Sequence, residues 1–277
     1  MVLVPSLGLT AHVFETLAPQ FTNRYRVLAI TRRWHGASEQ AGLHFDLDSL
    51  ANDLAYAIEY FSNEPAVVLG WGWATQELAT LARNHPDLVD ALIFANGVVA
   101  ELDVPAGVRG PPGQFAPDTV FSSIDVAVEA WLPYFDVERE VLRTLLSEAF
   151  VRREDGSFVA GPPVGTPALG RFLEMEDLSG AVYEGIQTPV LAIQVRQADY
   201  LASELEARGF PPDSIAVATS WATEFDDVRR DRGADLLRAA VPSAEVTELR
   251  GVSHNFILES PELVADKVNE FLSRIDP

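Results

Sequence analysis

The sequence predicts an α/β fold, a mainly parallel sheet flanked by helices with an inserted helical cap, and three features of the chain carry that prediction. Short β-branched or aliphatic runs alternate with amphipathic helical stretches. The alternation pauses from about Gly97 to Gln187, where Gly/Pro-rich loops and helix patterns take over. The third feature is VVLGWGWAT, residues 67–75, which reads as a buried strand turning sharply into a helix.

In chain order, the strand candidates are Val2–Val4, Val27–Thr31, Ala66–Leu69, Ala91–Ala95, Val190–Val195 and Glu245–Leu249. They are short runs rich in the residues that suit a pleated, buried surface. Helix candidates lie between them near residues 11–20, 47–62, 73–84, 224–240 and 261–274. Within the pause, VAVEAWLPYF and REVLRTLLSEAF place apolar residues at three and four spacing, among the loops VPAGVRGPPG and AGPPVGTP. No internal repeat or charged linker divides the chain. The reading is one core, residues 1–97 and 188–277, with residues 98–187 as a helical cap inserted into it.

Composition bounds the chemistry. At 277 residues and 48% hydrophobic, the chain can bury one large core. Its 20 basic and 41 acidic residues give a formal charge of -21, which repels a phosphate backbone and argues against nucleic-acid binding. The acidic residues, Asp226, Asp227 and Asp231 among them, are spread along the chain and read as a solvated surface. Without cysteine there is no disulfide, thiolate nucleophile or cysteine zinc site, and the five histidines show no HExxH or paired spacing. No apolar run approaches the roughly 20 residues of a membrane-spanning helix, and MVLVPSLG has neither a basic leader nor a cleavage site. The expectation is a cytoplasmic protein with a small-molecule partner, and no cofactor, metal, membrane or nucleic acid.

A strand, tight turn and helix is where open α/β sheets place their chemistry. Gly70, Trp71, Gly72, Trp73 and Ala74 match the spacing of a GxSxG nucleophile elbow, with Gly72 at the tip. LVPSLGLTAHVFETLAPQF resembles a first strand, HGxG-like turn and first helix, with Pro5 and Ser6 where His and Gly are usual. RRWHGASEQ, residues 32–40, resembles an RGHGxS segment, and GVSHNFILESPELVADKVNEFL resembles a last strand's histidine loop followed by the last helix. In this order and with these gaps the segments resemble the α/β-hydrolase fold over nearly the whole chain. Two departures stand out: the chain starts directly at MVLVPSLG where that family usually opens with a β-hairpin, and Gly72 occupies the nucleophile position.

The resemblance implies that His254 takes and returns a proton. Asp199, after the strand TPVLAIQV, would orient it, with Glu101 or Asp103 as fallback acids. It implies an oxyanion hole from the N–H groups of Leu7 and Trp73, which glycine at position 72 leaves in place. Ser6, Trp71, Trp131 and Tyr134 are the candidate substrate-binding residues, with Phe135 and Phe172 as further cap aromatics; His35 braces its loop. Three functions are compatible with this set. One is a hydrolase lineage, esterase- or lactonase-like toward small apolar substrates in a serine form, with the covalent step disabled because Gly72 has no side chain. The others are a cofactor-free acid/base enzyme of dioxygenase or lyase type using His254 and Asp199, and a non-catalytic small-molecule binding protein.

Overall fold

The computed structural model describes residues 1–39, 45–62, 64–100, 119–160, 179–196, 198–207 and 209–275. Six parallel strands form the central sheet: β1 (Val2–Val4), β2 (Leu28–Ala29), β3 (Ala66–Trp71), β4 (Val89–Ala95), β8 (Val190–Val195) and β9 (Glu245–Leu249), in the spatial order β2-β1-β3-β4-β8-β9. All six predicted strands are present in this sheet. β3 sits between β1 and β4 with every residue buried, so its consecutive apolar side chains feed both faces.

Side-chain alternation divides the core in two. Leu3, Leu69, Ile93 and Val195 point to one face, which is covered by the 3-10 turns Ala11–Phe14 and Ala18–Phe21 and by the C-terminal helix α9 (Pro261–Ile275). Val4, Val68, Leu92 and Phe94 point to the other, under α1 (Leu47–Phe61), α2 (Ala74–Asn84) and α7 (Asp227–Ala240). α1 shows the local logic: Asp46 caps its first turn by accepting from Ser49 N–H at 2.7 Å, and Leu50, Ala51, Leu54, Ala55 and Ile58 form the buried stripe.

Two elements differ from expectation. Residues 11–20, expected as one helix, form two 3-10 turns; Pro19, which has no N–H to donate, stands in the first turn of the second. After β8 the chain forms α5 (Ala198–Ala207) and α6 (Pro212–Trp221), then a π-helical stretch Ala222–Asp226 leading into α7.

The chain leaves the sheet at Ala95 and re-enters at Val190. Between these points lie α3 (Ile124–Trp131) and α4 (Arg139–Ala149), as the helix patterns predict, and a small antiparallel sheet that they do not. It is formed by β5 (Val120–Phe121), β6 (Phe150–Arg152) and β7 (Phe158–Ala160), in the order β5-β7-β6. Unlike the wholly buried run Val2–Val4, these short strands are partly exposed, at Val120 and Val151, and stand among helix and loop patterns. Phe121, Ala127, Val128, Leu142 and Leu146 form the insertion's own apolar cluster. Leu145 faces away from that cluster into the main core beside Val13 and Phe14, and Asp136 N–H donates to Glu259 Oε1 at 3.0 Å, which ties the insertion to α8 (Phe256–Glu259). Among the described residues no helix is long and apolar enough to cross a membrane.

Candidate active site

The site is assembled at the carboxyl ends of β1, β3 and β4. β3 ends at Trp71, Gly72 turns with φ +58°, and α2 begins at Ala74. This is the left-handed conformation that glycine adopts at little cost. Gly72 N–H donates to Ala95 O at 2.7 Å and Thr75 N–H donates to Gly72 O at 3.2 Å, so both sides of the turn are held. Gly97 packs so closely that a side chain there would overlap Gly72 O and Thr75 Oγ1.

A Cβ on residue 72 would lie 2.5 Å from Ser6 Oγ and 3.2 Å from Ser6 Cβ, with no other atom of comparable closeness. The hydroxyl of Ser6 therefore stands where a side chain on residue 72 would project. Its turn is fixed from below. Arg32 donates to Ser6 O at 3.2 Å and also to Pro5 O, while its Nε pairs with Glu77 on α2. Glu77 is fully buried; burial raises its carboxyl to about 7, against the pull of the Arg32 guanidinium. His35 completes the brace: Nε2 accepts from Gly8 N–H and Nδ1–H donates to Arg33 O, each at 3.0 Å. Burial, with Arg32 adding to it, pushes His35 down to about 3 and keeps it neutral.

His254 lies between β9 and α8, its ring centroid 5.6 Å from that of Trp71. Its Nδ1 lies 2.6 Å from Nδ2 of Asn96, the residue that follows β4. Asn96 has φ +57°, a conformation asparagine tolerates better than most residues. Its Oδ1 accepts from Arg230 Nη1 and, at 3.4 Å, from Val195 N–H. Arg230 in turn forms a two-bond ion pair with Asp226, at 2.8 and 3.2 Å; their exposures of 5% and 4% make this an interior pair. The sequence reading of Asp226 as surface charge is corrected accordingly: the π-helical stretch turns its carboxylate inward. Burial, with Arg230 adding and Asp226 opposing, pushes His254 down to about 4.

Of the other predicted site residues, Leu7 and Trp73 pack with Trp34 against Phe45 and Leu50, forming an apolar wall beside the turn. Leu7 N–H makes no hydrogen bond among the described residues. Trp71 is buried with its Nε1 unpartnered among the described residues, as is Thr75 Oγ1 on the first turn of α2. Trp131 packs within the insertion, its ring 6.1 Å from Phe135 and 6.2 Å from Phe150. Asp199 falls on the first turn of α5 and Tyr134 in a 3-10 turn after α3; their side chains lie outside the described residues. Glu101, Asp103 and Phe172 also lie outside them. Asn96 and Arg230 are site residues that sequence reasoning missed. No group of three or more metal-ligating side chains occurs among the described residues.

Comparison with known proteins follows the same outline. The family model described as alpha/beta hydrolase fold matches residues 1–164. Pimeloyl-[acyl-carrier protein] methyl ester esterase from Neisseria meningitidis serogroup A is 30% identical over 112 residues, which cover 39% of this chain and 34% of the relative. 2-(Acetamidomethylene)succinate hydrolase from Mesorhizobium japonicum is 27% identical over 88 residues, 31% of this chain and 32% of the relative. These matches thus span about a third of each relative's length. Among solved structures, E-2-(acetamidomethylene)succinate hydrolase superposes with a TM-score of 0.68 at 19% identity, covering 99% of this chain and 91% of that one. The thioesterase domain from the curacin biosynthetic pathway gives 0.70 at 12% identity, covering 97% and 90%.

Proposed function

Because the chain belongs to the α/β-hydrolase fold family, we propose that its pocket takes small, largely apolar esters, lactones or related carbonyl compounds, with the covalent step of an esterase absent. The observation that carries this reading is Gly72 at the turn between β3 and α2, with Ser6 Oγ 2.5 Å from the position of a Cβ. A residue without a side chain cannot form an acyl-enzyme. The turn is nevertheless kept, and with it the backbone N–H groups of Leu7 and Trp73 that would hold a carbonyl oxygen. Relatives named as an ester esterase and a succinate hydrolase support a carbonyl-containing ligand. Ser6, Trp71, Trp131 and Tyr134 are the proposed contacts, and residues 98–187 the cap over them. Asp199, the carboxylate expected from the sequence, has its side chain outside the described residues, and the partner at His254 Nδ1 is Asn96.

The test is a panel of p-nitrophenyl esters, lactones and aryl ketones. Ligands of this class raise the melting temperature of the wild-type protein while no p-nitrophenol is released above background and intact mass shows no acyl adduct. Turnover by the wild-type protein, or a panel without any thermal shift, overturns the reading. The asparagine at His254 Nδ1 also favours ligand binding without turnover over the acid/base alternative, which needs a carboxylate there.

A further inference from the structure

Asn96 decides which nitrogen of His254 carries the proton. An amide has one accepting end and one donating end. The accepting end of Asn96 is committed to two donors, the Arg230 guanidinium and Val195 N–H. Exchanging the amide's O and N would set its NH2 against both donors, so the orientation is fixed by its surroundings. The end facing His254 is therefore the NH2, which donates to Nδ1 across 2.6 Å. A nitrogen that accepts a hydrogen bond has no hydrogen of its own, and in a neutral imidazole the hydrogen then resides on the other nitrogen.

We infer that Asn96 is a positioning residue that reverses the imidazole of His254, placing its proton on Nε2 so that the ring donates a hydrogen bond to a ligand oxygen instead of accepting a proton. In a hydrolytic triad a carboxylate accepts from Nδ1–H and leaves Nε2 as the base; here both ends are inverted. Nε2 makes no hydrogen bond among the described residues, which leaves that N–H to a ligand. The ring packs on Trp71, next to the elbow tip, so the ligand atom is an acceptor oxygen held near Gly72: a carbonyl, carboxylate or phenolate. The charged groups around the ring are consistent with a neutral donor. Arg230 and Asp226 form the pair behind Asn96, and Glu259 on α8 is occupied by Ser253 Oγ and Asp136 N–H. The choice of ligand rests on the pocket reading above; the tautomer does not.

The test is 15N NMR of histidine-labelled wild-type protein at pH 7, with the His254 signals assigned by their loss in His254→Gln. The expected pattern is a pyrrole-type Nε2 and a pyridine-type Nδ1. In Asn96→Asp a carboxylate replaces the donor: the pattern inverts and the titration midpoint of His254 rises by a pH unit or more. In the Ser6→Gly/Gly72→Ser background, ester turnover appears only when Asn96→Asp is added, by tenfold or more over the double variant. A pyrrole-type Nδ1 in the wild-type protein overturns the proposal, and this measurement stands even if Asn96→Asp fails to fold. An unchanged nitrogen pattern in a folded Asn96→Asp also overturns it. A failed thermal-shift panel with the expected nitrogen pattern overturns the pocket reading and leaves the tautomer in place.

Discussion

The surroundings of His35 and His254 make an instructive pair. Both imidazoles lie near an arginine, and both are held well below the usual histidine range, at about 3 and about 4. His35 is bonded at each nitrogen to backbone, from Gly8 N–H and to Arg33 O, and is 1% exposed. His254 is half-buried and bonded at Nδ1, to a side chain 158 residues away in sequence. A ring with both edges committed to backbone can only hold the chain in place. One with an uncommitted edge beside a turn has bonding capacity left for a ligand.

The largest expected effect breaks the His35 side of the contrast. His35→Ala leaves Gly8 N–H and Arg33 O without partners and opens a buried void, and stability in urea falls by about 3 kcal/mol. Acid comes next. A histidine whose folded pKa is depressed contributes stability that is complete above its unfolded value near 6.5 and is lost as pH falls toward about 3. Glu77, raised to about 7, works the other way: its contribution is present below its unfolded value near 4.5 and lost as pH rises through 7. Between pH 7 and pH 4.5 these two changes nearly cancel, at about 2.5 kcal/mol each; His254, held down to about 4, adds a loss of its own, and the net loss is about 2 kcal/mol by chemical denaturation at the two pH values. It is steeper in Glu77→Gln, which lacks the opposing group.

Two smaller effects sharpen the His254 side. Gly72→Ser places a side chain in the left-handed region and against Ser6 Oγ, and it costs about 2 kcal/mol, part of which Ser6→Gly restores. His254→Ala costs about 1 kcal/mol in the same denaturation assay yet removes the thermal shift given by carbonyl ligands, because the ring is only half-buried and its Nε2 makes no hydrogen bond among the described residues. Equal stability losses for His35→Ala and His254→Ala would erase the distinction between them.

The sheet was legible because its strands are short apolar runs in sequence order, and three of them, Val2–Val4, Val190–Val195 and Glu245–Leu249, begin and end where the pattern predicts. The turn between β3 and α2 was legible because its constraint is local: small residues at fixed offsets where a strand runs directly into a helix. The partner of His254 at Nδ1 was not, since Asn96 meets it only through the registers of β4 on β8 and β8 on β9, and an asparagine after a strand reads as an ordinary turn residue. Asp226 and Arg230 have the i,i+4 spacing of a solvated helical pair; only the packing of their helix against the end of β4 buries them. The place of Ser6 follows from a turn held by Arg32 and His35, contacts that no local motif encodes.

The fit between Ser6 and Gly72 also bears on how this site can change. A serine at 72 crowds a serine at 6, while a glycine at 6 beside the glycine at 72 leaves a gap where a hydroxyl had been. A serine at 72 is thus less costly beside a glycine at 6 than beside a serine, and the two substitutions are non-additive. A library of single substitutions selected for ester turnover would pass over this position, and the route to a serine elbow opens more readily to variants that change both walls at once.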